Sequence, residues 1–131
     1  LPDLIIPVPY GYLDKIQPND DLITDFSKKH ALVGFHVFEL SPPESKFTAS
    51  CRNFAPLYGI SEESATGTSN GALACYLAEH LPLTNDYLFE QGRAMNCPST
   101  ITASVEIDNG DITSVKVGGL ATCIGTTEVS A

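Results

Sequence analysis

The chain has 131 residues, of which 43% are hydrophobic and 18% charged, a balance that buries one core and excludes a disordered chain. Its 7 basic and 16 acidic residues give a net charge of −9, which argues against a nucleic-acid backbone or an anionic membrane as partner while leaving room for a small anion at a local site. No apolar run approaches ~20 residues, so no membrane-spanning helix is expected, and no signal-peptide pattern is present.

"DLIIPV", Asp3 to Val8, is a short apolar run closed by prolines and reads as a strand. "YGYLDKIQPN" carries turn signals. "DDLITDFSKKH", Asp20 to His30, reads as a helix with acids first and Lys28, Lys29 and His30 last, as the helix dipole favours. Leu22, Ile23 and Phe26 fall at helical spacing and are expected to form its buried face. "ALVGFHVFEL", Ala31 to Leu40, is strand-like, "SPPES" is a turn, and "KFTASCRNF", Lys46 to Phe54, alternates as the second arm of a hairpin. A polar turn follows, and Gly71 to Leu81 reads as a helix. "DYLFEQG" is a strand ending at Gly92. "STITASVEID" and "ITSVKVGG" flank the tight-turn signal Asn109 to Asp111. "LATCIGTTEV" is expected to add a final strand. The order predicts a single α+β domain, residues 1–131, with a mostly antiparallel sheet.

The helix "GALACYLAEHL" has no polar stripe, so it is expected to be buried all round, inside a curled sheet. Gly71, Ala72, Ala74 and Ala78 would let strands approach its axis. Its first N–H groups need partners. Thr66, Thr68, Ser69 and Asn70 can each cap it, and the same terminus, with Gly67 open to approach, can bind a carboxylate or phosphate. Both readings stand at this point. Glu62 and Glu63, just upstream, suit proton chemistry or a solvated charge pair equally well. Arg52 suits an anion or an ion pair with one of those acids. His30 and His80 read as helix C-terminal cations, and His36 as structural.

The cysteines, Cys51, Cys75, Cys97 and Cys123, form no C-x-x-C pair, so no zinc site is expected. Cys51 and Cys75 lie in apolar segments and read as core, and Cys97 as the accessible thiol. Reduced cysteines in a cytoplasmic protein are expected, although the even count leaves disulfides open. The chain begins at Leu1 rather than Met, which suits a processed product or a piece of a longer protein.

"RNFAPLYGISEESATGTSNGALACYL", Arg52 to Leu77, resembles the signature R-x-F-A-P-x-x-G-I-x-E-D-P-V-T-G-S-A-x-G-A-L-A-x-Y of the PhzF family, the phenazine-biosynthesis-like isomerases. "EQGRAMNCPS" is similar to the family's Q-G-x-x-x-x-R-P-S, without the Arg, and "VKVGGLA" to its near-terminal V-x-V-G-G. The resemblance covers nearly the whole chain, yet only half of a family member. It implies a diaminopimelate epimerase-like half, a barrel-like curled sheet around a central apolar helix, equivalent to the C-terminal domain of a two-domain protein. The function implied is cofactor-independent, metal-free isomerisation or epimerisation by proton transfer on a small carboxylate-bearing metabolite. The absent N-terminal domain, or a companion chain, would carry the main acid/base glutamate.

Carried over residue by residue, Glu63 stands where the family has an Asp lining the site, as the catalytic candidate. Thr68 stands at a substrate-binding Ser, and Thr66, Gly67 and Ser69 complete the substrate-binding set. Ser64 replaces the family's Pro, and Asn70 sits where His is common. Thr66 occupies the place of the catalytic Cys of cofactor-independent racemases, and a hydroxyl is far too weak an acid to replace that thiol, which argues against two-thiol racemisation. A homo-oligomer is expected from the exposed face of a lone half. The alternative is a non-catalytic half-domain that self-associates or binds a partner.

Overall fold

A computed structural model describes residues 2–81, 84–123 and 125–129. The prolines around the first apolar run leave a short strand, β1 (Leu4–Pro7). Helix α1 (Asp20–His30) begins where Asn19 accepts the Leu22 N–H through Oδ1, and ends where Ala31 turns left-handed at φ 54°. β2 (Phe35–Leu40) and β3 (Ala49–Ala55) form the expected hairpin. β4 (Ile60–Glu63) leads into α2 (Gly67–His80), then β5 (Asp86–Gln91). β6 (Ser99–Asp108) and β7 (Asp111–Gly119) close the described strands. Asn109 and Gly110 turn that hairpin with φ of 52° and 90°, the positive pair a type I′ turn demands.

The strands form one sheet in the order β1-β2-β3-β5-β6-β7, with β4 also beside β3. β1 runs parallel to β2, and β3 parallel to β5. The other pairings are antiparallel. The parallel pairs follow from the helices: α1 connects β1 to β2, and α2 lies on the route from β3 to β5. β3 is paired along both edges. On its second edge Ala49 to Cys51 pair with Phe89 to Gln91, and beyond them Asn53 and Ala55 pair with Glu63 and Ile60.

The sheet curls around α2. Phe38 of β2, Cys51 of β3, Phe89 of β5 and Val105 of β6 all pack in one cluster with Leu73, Ala74 and Leu77 of α2. Each large apolar side chain buried there contributes about 1.5–3 kcal/mol. Gly71 serves close approach: a Cβ there would lie 3.1 Å from Val117 Cγ2 of β7. A smaller cluster, Leu13, Val37 and Phe54, lies under α1.

Four expectations need correction. α2 begins at Gly67, not Gly71, so the residues read as caps are its first turn, preceded by the short strand β4. Nor is α2 buried all round: Thr68 and Ala72 are exposed and Cys75 half-buried, so Cys75 is not a core thiol. On α1, Leu22 and Phe26 stay 67% and 43% exposed while Ser27 is buried. The helix rests on the outside of the sheet over a small cluster to which, of the α1 side chains, Ile23 belongs. The final strand does not form: residues 120–123 and 125–129 hold no strand, and Ile124 lies outside the described residues. Strand propensity is expressed only beside a strand to pair with. Among the described residues no helix is long and apolar enough to cross a membrane.

Candidate functional site at the start of helix α2

Glu63 ends β4, and Thr66 is the residue before the first turn of α2. Thr66 has the extended backbone of a cap, φ −130° and ψ 108°, yet its side chain makes no capping bond. Its hydroxyl donates instead to Glu63 Oε2 at 2.7 Å. Among the described residues no acceptor meets the N–H groups of Gly67, Thr68 or Ser69. Three unpartnered donors at the positive end of a 14-residue helix have the chemistry to accept an anion. Gly67 and Thr68 are exposed, and a Cβ added to Gly67 would meet nothing within 4 Å. The Thr68 hydroxyl is free among the described residues.

Ser69 is different. It is buried, and its hydroxyl donates to Asp3 Oδ2, beside β1. It can offer a ligand its N–H but not its side chain. Arg52 and Glu62 are withdrawn from the site together. The guanidinium holds Glu62 through Nε and Nη2, each at 2.8 Å, and reaches the carbonyls of Leu13 and Ile16 through Nη1. Of the two ways to read Arg52, the ion pair is the one the structure adopts. Glu63, on the Thr66 hydroxyl, and Asp3, on the Ser69 hydroxyl, are thereby the carboxylates beside the helix start.

Beneath the turn lies a polar network that sequence reasoning missed. Gln91, at the end of β5, is fully buried. Its Nε2 donates to the Glu63 carbonyl and to Thr66 Oγ1, and its Oε1 accepts from Thr66 N and Asn70 Nδ2. Asn70 also donates to the Thr66 carbonyl, 2.8 Å away. The Q-G element resembling the family pattern was the signal that could have drawn attention to Gln91. Behind Asn70, buried His36 shares a 3.0 Å bond between Nδ1 and Asn53 Oδ1. With the proton on Nδ1, His36 Nε2 is an acceptor, and both it and Asn70 Oδ1 lack a partner. Burial pulls the His36 pKa below the usual histidine value, against the opposing effect of Asn53.

This α+β half-barrel, with its open helix start beside a carboxylate, shares its fold with PhzF-family and epimerase-like structures. The pattern of the PhzC-PhzF family, phenazine biosynthesis-like proteins, matches residues 2–126. The chain belongs to that family. It is similar to a protein of Clostridium acetobutylicum named an uncharacterized isomerase, 33% identical over 122 residues, covering 89% of this chain and 40% of the relative. It is also similar to the trans-2,3-dihydro-3-hydroxyanthranilate isomerase of Pseudomonas aeruginosa, 36% identical over 70 residues, 52% of this chain and 25% of that protein. Among solved structures, a Bacillus anthracis phenazine biosynthesis protein of the PhzF family superposes with a TM-score of 0.75 at 21% identity, covering 88% of this chain and 41% of that one, which bears on fold alone. A predicted epimerase of Pseudomonas aeruginosa gives a TM-score of 0.60 at 27% identity, over 94% of this chain and 43% of that one. The chain thus spans about 40% of the length of the first of these relatives.

Proposed function

We propose that this chain is the C-terminal domain of a two-domain, cofactor-independent isomerase that moves a proton on a small carboxylate-bearing metabolite. The observation that carries this reading is the uncapped start of α2. The N–H groups of Gly67, Thr68 and Ser69 lie open next to Glu63, where a side-chain cap would ordinarily take one of them. The substrate carboxylate would sit on those donors and on the helix dipole, with the Thr68 hydroxyl beside it. Glu63 would line the reacting carbon and assist proton movement. The main acid/base glutamate would come from an N-terminal domain facing this one across a cleft. Chemically, one C–H bond breaks, its electron pair delocalises toward an adjacent unsaturated group, and the proton returns to carbon, so no redox partner is needed. A relative named for isomerising trans-2,3-dihydro-3-hydroxyanthranilate, itself a carboxylate, supports this substrate class. The same reading assigns the protein to the cytoplasm, as a homo-oligomer.

The test is a titration of the ¹⁵N-labelled protein with anthranilate. Saturable shifts of the Gly67, Thr68 and Ser69 amides are expected. No response there, even with the N-terminal half present, overturns the site. A second reading, a non-catalytic half that associates with another copy, is favoured by the apolar surface of Leu22 and Phe26 on α1. Sedimentation showing a monomer removes it.

A further inference from the structure

We propose that Gln91 is a positioning residue of this site, acting through Thr66 and Glu63 without touching substrate. The inference rests on the reading of the α2 start as an anion site. All four hydrogen-bonding positions of the Gln91 carboxamide are filled. Nε2 donates to the Glu63 carbonyl at 2.7 Å and to Thr66 Oγ1 at 2.9 Å. Oε1 accepts from Asn70 Nδ2 at 2.7 Å and from Thr66 N at 3.2 Å. The orientation is forced. Turned over, the amide would set donor against donor at Thr66 N and Asn70 Nδ2, and acceptor against acceptor at the Glu63 carbonyl.

Two consequences follow from that direction. Thr66 Oγ1 accepts a hydrogen bond from Gln91 Nε2, so its own single hydrogen is directed to Glu63 Oε2, 2.7 Å away. A threonine before a helix ordinarily turns its oxygen inward, onto the second or third helical N–H. Here it is held off them, and those N–H groups stay open to a ligand. Oε1 meanwhile takes the Thr66 N–H, so the open donors begin at Gly67. Gln91 therefore keeps the helix start vacant and hands Glu63 a fixed hydrogen-bond donor. A residue that only filled space would need the right volume; this role needs the right direction of hydrogen bonding.

The experiment separates the two. Gln91→Met keeps the volume and removes all four bonds. Anthranilate is titrated into the ¹⁵N-labelled wild type, Gln91→Met, and Gln91→Met with Thr66→Val, reading the Gly67 to Ser69 amides. In Gln91→Met the freed Thr66 oxygen caps the helix, and anthranilate affinity is expected to fall about fivefold or more, the equivalent of one cap bond. Adding Thr66→Val removes that competing oxygen and is expected to restore most of the loss. Two results overturn the proposal: wild-type affinity in Gln91→Met, or no recovery in the double variant, which would make Gln91 a structural filler. In either case the anion site itself stands. No wild-type response overturns the anion site, and the role of Gln91 falls with it. Should Gln91→Met fail to fold, as judged by the β6–β7 amides, Gln91→Glu replaces it, keeping both acceptors and losing both donors. Thr66→Val must again recover affinity there, and charge repulsion alone would not allow it.

Discussion

Thr66 spends its hydroxyl proton on Glu63 rather than using the oxygen to cap the helix that follows it: Oγ1 lies 2.7 Å from Glu63 Oε2, and no capping bond forms. The oxygen a racemase would replace with a thiol is thus already engaged on both sides, by Glu63 and Gln91. Thr66→Val removes both side-chain bonds from a buried position and is expected to cost about 1–3 kcal/mol, read from urea denaturation.

Arg52→Ala is expected to destabilise the protein by about 3–5 kcal/mol, because it strips a largely buried Glu62 of its bidentate partner and leaves the Leu13 and Ile16 carbonyls without their donor. Arg52→Lys should recover only part of the loss, since one ammonium cannot fork across the carboxylate and reach both carbonyls. Equal stability of the Lys variant and wild type would contradict this.

Two glycines with left-handed backbones should respond unequally to alanine. Gly59, at φ 79°, faces open space, so Gly59→Ala meets only the backbone penalty of about 1–2 kcal/mol. At Gly92, φ 87°, a Cβ would lie 2.3 Å from the Cys97 carbonyl oxygen and 3.0 Å from Ser64. Gly92→Ala should therefore cost clearly more than Gly59→Ala, and should also disturb the Gln91 and Thr66 amide signals. Matching melting temperatures for the two variants would refute the distinction.

His36 should impose a pH dependence. Its folded pKa lies below the ordinary histidine value of about 6.5, chiefly through burial. Between the two values the unfolded chain binds more protons than the folded one. The neutral ring's contribution is therefore complete above pH about 6.5 and is lost as pH falls toward the folded pKa. A urea series from pH 8 to pH 5 should show wild type losing stability over that window, with His36→Gln showing a flatter slope. Parallel slopes would locate the dependence elsewhere.

Leu73 sits fully buried where α2 meets the sheet. Leu73→Ala is expected to cost about 2–5 kcal/mol, the upper part of the range if the surrounding strands hold their places. Calorimetry gives the measurement.

Local pattern carried much of the fold. The Asn109-Gly110 turn, the charge gradient of α1 and the alternation of β6 each state a backbone preference within a few residues, and each is met. The errors fall where distant partners decide. Thr68, Ser69 and Asn70 read as caps because such residues compete with the helical backbone. Ser69 and Asn70 are helical here because Asp3 takes the Ser69 hydroxyl, while Gln91 and Thr66 take the Asn70 amide. β4 is short and exists by pairing with β3. Leu22 and Phe26 have the spacing of a buried face, but spacing cannot say how much sheet lies beneath it. At the site, Glu63 and the open helix start were visible as residue types at a spacing. The function of Gln91 was not, because it depends on contacts made across 25 and 28 residues of chain.

One strand gauges the site. β3 meets Gln91 at Cys51 and Glu63 at Asn53, two marks on the same ruler. Length changes in the loop after Gly92, or in the turn before β4, leave those marks where they are. A one-residue slip of β3 against its neighbours would move both at once and turn its inward side chains outward. The spacing between the carboxylate and the amide that orients its partner is therefore inherited from a core strand, and the surface loops around the site are free to vary without resetting it.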